Sequence, residues 1–339
     1  MAPSRVLASR SSWGAAVKAF VQRAYGSADA YELVDVAKPT PSDGEVLVKV
    51  IASAVNDWDW GMLRSPWSMR PFTGLRRPRG RYRVMGCDVA GRVEAVGRDV
   101  GTFAPGDEVF GDLSGDRFGA FAEYACVRER HLHRKPASVS FEEAAAVPHA
   151  AELALQAMRS AEGLRAGHEV LVNGAAGGVG TLAIQLLKRH DLEVTGVDRA
   201  EKLGRLRELG YDHVVAYPEE DFIRRGKRYD LIIDVKTRAP AYVYGRALKP
   251  AGVYATVGGD AMVSFMLLAP LMAPLLRKRL KAVLLRPNAH LSELSELLGS
   301  GALRPVIDQV FEFADLRRAL TRFGTAQHVG KIVIRMPRA

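Results

Sequence analysis

Val170-Leu171-Val172-Asn173-Gly174-Ala175-Ala176-Gly177-Gly178-Val179-Gly180 is the stretch on which the reading of this chain turns. Four residues suited to a buried strand lead into a glycine turn, and a helix pattern then runs from Thr181 to His190. A second apolar strand, Glu193 to Val197, ends at Asp198, eighteen positions beyond Gly180. Strand, glycine turn, helix, strand and acid at that spacing make a βαβ dinucleotide-binding unit. Gly177 lets the backbone approach a pyrophosphate, and Gly180 lets the helix pack closely on the strand. The helix N-terminus offers free N–H groups to the phosphates. Ala176, Gly177, Gly178, Val179 and Gly180 are therefore the cofactor loop.

Outward from that unit the pattern repeats. Helix Lys202–Leu209 leads to strand His213–Ala216; strand Tyr229–Asp234, helix Ala241–Leu248 and strand Val253–Val257 follow. Repeated βα units predict a parallel sheet with helices on both faces. Ligands bind such sheets at the carboxyl ends of the strands, here Asn173, Asp198, Tyr217, Asp234 and Gly258. Upstream, Lys18–Gln22, Tyr31–Val36, Glu45–Val55, Val89–Val96, Glu108–Phe110 and Ala122–Val127 read as short strands punctuated by Pro and Gly. Phe141–Ala146 and Leu153–Ala161 read as helices. Downstream of Pro287 come helix Leu291–Leu298, strand Val306–Phe313, helix Ala314–Phe323 and strand Lys331–Arg335.

Composition sets outer limits. The 339 residues, 48% hydrophobic and 25% charged, suit a globular enzyme of two domains. Two cysteines, Cys87 and Cys126, build neither a disulfide framework nor a four-cysteine zinc lobe, and they suit a reducing, cytoplasmic setting. No apolar run reaches ~18 residues, so no stable membrane insertion is expected. The nearest, Ala261–Leu276, is interrupted by Pro270 and Pro274 and followed by Arg277-Lys278-Arg279-Leu280-Lys281. It reads as a buried or oligomer-facing helix with a basic end, or as a dock for an anionic membrane. Residues 1–28 carry cations and no acid before Asp29, a pattern shared by transit peptides and by plain disordered extensions.

The formal net charge of +10 is unevenly spread. Seven arginines lie between Arg64 and Arg83, with no acid from Gly61 to Cys87 and with Trp67, Phe72 and Tyr82 interleaved. A solvated loop, an anionic-lipid dock, a nucleic-acid patch and a rim attracting an anionic substrate all fit. Nothing resembles a nucleic-acid-binding module, and no such partner is expected.

Further stretches fall in a telling order: Val55-Asn56-Asp57-Trp58-Asp59-Trp60, Gly86-Cys87-Asp88-Val89-Ala90-Gly91, Pro105-Gly106-Asp107-Glu108-Val109-Phe110, Gly119-Ala120-Phe121-Ala122-Glu123-Tyr124, Phe141 to Pro148, and Gly330-Lys331-Ile332-Val333-Ile334. With the glycine loop, residues 18 to 336 resemble the medium-chain dehydrogenase/reductase superfamily, in its zinc-independent quinone oxidoreductase-like branch. The resemblance implies an α/β fold: a GroES-like β-rich domain with an inserted Rossmann domain, a doubly wound parallel sheet. The expected division begins with an N-terminal extension, 1–17. A GroES-like catalytic domain follows in two segments, 18–140 and 287–339, with the Rossmann NAD(P)-binding domain, 141–286, between them. A homodimer joined through the Rossmann sheet edge is also implied.

The resemblance implies hydride transfer from NAD(P)H to a quinone or an α,β-unsaturated carbonyl. Asn56 and His149 would be the catalytic residues, the second a proton donor. Trp58 and Trp60, read at a strand end, and Tyr82 would line the substrate pocket. Asp198, Arg199, Lys202, Tyr217, Val257, Gly258 and Lys331 join the cofactor set. Asp198 suits a ribose 2′-hydroxyl and NADH; Arg199 and Lys202 suit a 2′-phosphate and NADPH. At the superfamily's zinc-ligand positions stand Asn56, Cys87 and His149. Cys87 and His149 with Asp57 or Asp59 would make only a degenerate site, so no zinc is expected. Two departures stand out: Leu153 where the branch commonly has Thr, and Ala175 where the loop's first Gly is usual. The remaining readings are an alcohol dehydrogenase-like enzyme with that degenerate metal site and a nucleotide-binding regulatory protein without turnover.

Overall fold

The computed structural model describes residues 16–65, 69–259 and 261–337. Residues 1–15, and with them most of the segment in which a transit peptide would lie, fall outside the described residues, as does Trp67. The chain opens on an antiparallel hairpin, β1 (Ala16–Gln22) with β2 (Tyr31–Ala37). Strand β3 (Glu45–Val55) is buried on both faces and leads into α1 (Asp57–Arg64). Trp58 and Trp60 thus sit on a helix rather than at a strand end. The acidic residues of this segment cause the change: Asp59 at the third helical position accepts the Asn56 N–H at 2.8 Å, one arm of a capping box. A short α2 (Arg70–Thr73) and strands β4 (Asp88–Val96), β5 (Glu108–Asp112), β6 (Tyr124–Arg128) and β7 (His133–Arg134) complete this stretch of the chain.

Helix α3 (Phe141–Ala145) starts at a full capping box, with Ser140 and Glu143 bonding each other's backbone N–H. Helix α4 (Pro148–Arg159) begins five residues before the expected Leu153, because Pro148 is well placed at a first helical position. Then come β8 (Glu169–Asn173), α5 (Gly178–Lys188), β9 (Glu193–Arg199), α6 (Leu203–Glu208), β10 (His213–Tyr217), β11 (Tyr229–Asp234), α7 (Ala241–Tyr244) and β12 (Leu248–Thr256). Helix α8 (Met262–Leu276) carries both Pro270 and Pro274 inside it, and strand β13 (Arg279–Ala282), which the sequence pattern did not announce, follows. These six strands form one parallel sheet in the order β10-β9-β8-β11-β12-β13. That is the doubly wound order, with its reversal between β8 and β11, where a ligand crevice opens.

The chain then returns through α9 (Leu291–Gly299), β14 (Ile307–Glu312), α10 (Leu316–Gly324) and β15 (Lys331–Arg335). β15 pairs antiparallel with β3, giving a second sheet in the order β14-β15-β3-β4-β5-β7, with β6 on β3. The last strand therefore belongs to the sheet of residues 45–134. The apolar core runs continuously from α3 and α4 across α5 to β8, β9, β11 and β12. A separate core fills the β-rich sheet around Phe20, Met85 and Phe121. Burying each large apolar side chain is worth about 1.5–3 kcal/mol, and the first core also takes in Ala52, Ala90, Phe110 and Val333 of the β-rich sheet, so it fastens the two sheets together.

Candidate active site

The glycine loop is built as the sequence reading requires. Gly177 caps α5 in extended backbone, and the N–H groups that follow open the helix. A Cβ on Gly180 would lie 2.2 Å from the Ala175 carbonyl oxygen, so close helix–strand packing needs glycine there. Gly174 holds φ +85°, a region that glycine enters freely. The loop is tied to the last strand, Gly330 donating its N–H to the Ala176 carbonyl at 2.7 Å.

A cleft of about 580 Å³ runs past this loop between the two sheets. Gly177, Gly178, Val179, Asp198, Arg199, Lys202, Tyr217, Val257, Gly258, Lys331, Asn56 and His149 all line it. Ala176 and Gly180 stand behind the lining. Trp58, Trp60 and Tyr82 are not among the lining residues either. Trp60 packs its ring against Gly324, Trp58 and Tyr82 flank Phe118 at 6.4 and 5.9 Å, and Arg81 lies over the Tyr82 and Phe118 rings. These aromatics lie beside the cleft, with Trp58 still 40% exposed, so the pocket role that the resemblance implies for them rests on no lining contact here. In the arginine-rich loop, Arg70 stacks over Tyr25 and Arg76, Arg77 and Arg79 are exposed.

At the inner end of the cleft lies a buried polar network. Lys331 Nζ donates to Asn56 Oδ1 at 2.5 Å and to Asp88 Oδ2 at 3.0 Å. Asn56 Nδ2 donates to the same Asp88 oxygen at 2.9 Å, so the Asn56 amide is committed to the network. Asp88 Oδ1 accepts the His149 backbone N–H at 2.8 Å. His149 Nδ1 meets Asp112 Oδ2 at 2.8 Å; Asp112 is fully enclosed and His149 is buried at the cleft wall. Burial presses the His149 imidazolium down. The Asp112 charge, the hydrogen bond to it and the Asp88 charge outweigh burial, leaving the histidine above its usual value. Burial likewise pushes Asp112 up, yet the His149 charge and hydrogen bond hold its carboxyl below the usual range. Asp59, bonded to the Asn56 and Gly86 N–H groups, is raised by burial to about 7.

Asp112 is the acid that sequence reasoning missed at this site. It ends β5 two residues after the quoted Pro105–Phe110 stretch, and only the pairing of β5 with β4 brings it to His149. Asn288, from the returning segment, clamps that strand end, accepting the Asp112 N–H and donating to the Asp112 carbonyl, each at 2.8 Å.

Cys87, Asp112 and His149 bring a thiol, a carboxylate and an imidazole within 4.8 Å of one another. Asp112, not Asp57 or Asp59, is therefore the acid that joins Cys87 and His149: Asp57 pairs with Lys236 at 3.6 Å, and both Asp59 oxygens take backbone N–H groups. Catalytic zinc needs three protein donors turned to one centre. Here Asp112 and His149 Nδ1 face each other, and keeping their bond leaves two donors. The donor set does not fit zinc as arranged.

A dinucleotide fits better. Both Asp198 oxygens accept backbone N–H groups, from Ala176 and Arg199 at 2.9 Å each, and Lys202 Nζ lies 3.7 Å from the carboxylate. Lys202 donates to the Ala326 and His328 carbonyls at 2.7 and 2.8 Å, and burial lowers its pKa. Beyond them Arg238, another cation the sequence reading passed over, donates to the Tyr217 hydroxyl and stacks on its ring at 5.3 Å. His328 lines the same stretch of cleft with a buried Nδ1 that has no partner, a group a bound ligand would satisfy.

Comparison with known proteins agrees with this architecture. Residues 42–137 match the family of the alcohol dehydrogenase GroES-like domain, and residues 209–334 match the zinc-binding dehydrogenase family. A chloroplastic quinone oxidoreductase of Triphysaria versicolor is 32% identical, covering 91% of this chain and 95% of its own. A 2-methylene-furan-3-one reductase of Solanum lycopersicum is 32% identical over 94% of this chain and 79% of its own. The structure of a quinone oxidoreductase from Coxiella burnetii superposes with a TM-score of 0.84 at 27% identity, over 95% of this chain and all of that one.

Proposed function

This chain belongs to the medium-chain dehydrogenase/reductase superfamily, in its quinone oxidoreductase-like branch, and from that premise we propose that it reduces quinones or α,β-unsaturated carbonyls at the expense of NADPH, without zinc. The observation that carries the reading is the His149–Asp112 pair at the inner end of the cleft that passes the glycine loop. Reduced nicotinamide bound along the loop would supply the hydride. The loop N–H groups would hold the pyrophosphate.

The protein's own contribution is orientation and a proton. Asp112 accepts from Nδ1, which fixes the ring and leaves Nε2 to serve the cleft. Against burial, the Asp112 charge and hydrogen bond and the Asp88 charge raise the His149 pKa, which favours the protonated ring as a proton source for an acceptor oxygen or carbon that has gained negative charge. Lys331, anchored by Asn56 and Asp88, adds a fixed positive charge beside it. Quinones and enones spread the incoming charge through their own conjugation and need no Lewis acid. Asn56 acts as a positioning residue, since its amide holds Lys331.

NADPH is favoured over NADH by the way Asp198 is used. Its carboxylate accepts two backbone N–H groups and lies 3.7 Å from Lys202 Nζ, so its repulsion of a 2′-phosphate is weakened. Arg199 and Arg238 are the cations left to meet that phosphate. The reading keeps a cytoplasmic homodimer joined along the free edge of β13.

The test is oxidation of NADPH and NADH by purified protein with 1,4-benzoquinone, 9,10-phenanthrenequinone and a short enone, beside metal analysis. Saturable turnover favouring NADPH, in metal-free protein, is expected. Nucleotide binding without turnover on any acceptor would overturn the reductase. Activity that follows bound zinc would favour the metal-dependent alternative.

A further inference from the structure

Helix α8 turns an apolar face to solvent. Its fifteen residues hold no charge. Phe265 and Ala269 bury themselves against the parallel sheet, while Met266, Leu267, Leu268, Leu271 and Leu275 stand exposed, the last at 75%. Leu267, Leu268, Leu271 and Leu275 recur at helical spacing, so they form one stripe about 12 Å long. Exposed Tyr242 on α7, which packs against α8, adjoins it. A contiguous apolar surface of this kind marks an interaction site.

Charge identifies the occupant. No acid occurs between Asp260 and Glu293, whereas Arg277, Lys278, Arg279, Lys281 and Arg286 fall in that interval. Arg277 is exposed at the helix end. Lys278 and Lys281 donate to backbone carbonyls of Leu248, Lys249 and Ser160, and Arg279 lies 3.8 Å from the exposed Glu162. Arg246 adds another exposed cation on the segment after α7. A second copy of this chain would bring no anion from this segment to meet those cations, and the outward stripe offers a protein partner almost no hydrogen-bonding group. Anionic lipid supplies both the apolar phase and the negative headgroups. No helix among the described residues is long and apolar enough to cross a membrane, so the contact is peripheral.

We propose that α8 docks this protein on an anionic bilayer, its leucine stripe entering the acyl boundary and the basic segment at its end meeting the headgroups. This goes beyond the reductase reading and does not depend on it.

The test is co-sedimentation of the full chain with phosphatidylcholine vesicles and with phosphatidylcholine/phosphatidylglycerol vesicles, at low and high salt, beside light-scattering mass of the free protein. Binding to the anionic vesicles that weakens with salt is expected. The triple variant Leu267→Ser, Leu271→Ser, Leu275→Ser should lose at least about tenfold in vesicle affinity. Arg277→Glu with Arg246→Glu should weaken binding to anionic vesicles only. Both variants change exposed side chains away from the cleft, so reduction of a soluble quinone should be unchanged. Absence of binding by the parent protein, or equal binding by the triple-serine variant, would overturn the proposal. So would a dimer that the serine variant dissociates without any vesicle affinity, which would assign the stripe to a second copy.

Discussion

Lys331 shows how much one side chain can tie together. Its stem runs so close to the glycine loop that a Cβ on Gly178 would lie 2.6 Å from its Cδ, and its ammonium meets Asn56 and Asp88 in a fully buried setting. Removing one partner of such a pair leaves the other charge uncompensated, which costs about 3–5 kcal/mol. Lys331→Met should therefore lose about that much stability in urea unfolding, and adding Asp88→Asn should return some of it; strictly additive losses would mean that the pair is not coupled. The neighbouring pair predicts a pH effect. A histidine raised by folding stabilises the fold below its unfolded pKa, about 6.5, and that contribution fades as pH rises through the folded value. Asp112, held low, stabilises above its unfolded value and loses this as pH falls through the folded one. His149→Gln should thus cost most stability in mild acid and progressively less toward alkaline pH. An equal cost at every pH in an unfolding series would mean that His149 is not charged in the fold. At this scale the sequence was half legible. His149 and Lys331 were visible from their motifs, but Asp112 carries no motif of its own, and the commitment of the Asn56 amide depends on a lysine 275 positions away.

Elements were legible where one local cause dominates. The βαβ unit was readable because glycine, strand and helix preferences all agree there, and the contact distances give the reason. A Cβ on Gly180 meets the Ala175 backbone, which cannot move without reshaping the loop, whereas a Cβ on Gly204 in α6 meets nothing within 4 Å. Gly180→Ala should therefore cost about 1–3 kcal/mol and weaken nucleotide binding measurably in a fluorescence titration. Gly204→Ala should stabilise by about 0.5–1 kcal/mol and leave binding alone. If both variants behave alike, close packing of α5 on β8 is not what fixes the loop. Helix α1 was illegible because its start depends on Asp59 capping back onto Asn56, in a segment whose preceding residues read as strand. Strand β13 was hidden by its charges: Arg279 and Lys281 sit in an edge strand, where cations are tolerated. In α8 apolarity suggested a buried or oligomer-facing helix or a membrane dock, and among its described side chains Phe265 and Ala269 are buried while the leucines are exposed.

At the scale of the whole molecule, both sheet architectures followed from repeating patterns, but the ties that make a cleft between them did not. Those ties join residues far apart in sequence and are drawn from side chains with no periodicity. Glu152 is the clearest case. It is fully buried on α4, three residues after His149, and its carboxylate accepts the His290 N–H at 2.7 Å, His290 Nδ1 at 3.0 Å and Gln156 Nε2 at 2.8 Å. Gln156 in turn donates to the Arg286 carbonyl and accepts the Arg286 N–H. The returning chain is thus fastened to α4 at the point where it leaves the parallel sheet for the β-rich one. Asn288, two residues before His290, holds the strand end that carries Asp112. One short segment therefore sets the position of both members of the His149–Asp112 pair. Glu152→Ala strands two donors, from His290 and Gln156, each worth about 1–3 kcal/mol, so unfolding stability should fall by about 2–6 kcal/mol. Hydrogen exchange should accelerate at the amides of Arg286 and His290 while the core of β8 and β11 stays protected. Glu152→Gln keeps one acceptor and should recover most of the stability. Because the glycine loop lies outside this clamp, nucleotide affinity should change little in Glu152→Ala, while quinone turnover should fall with the loss of the His149–Asp112 geometry. Unchanged exchange at Arg286 and His290, or equal losses in nucleotide affinity and turnover, would mean that the segment is carried by its apolar contacts and does not set the catalytic pair.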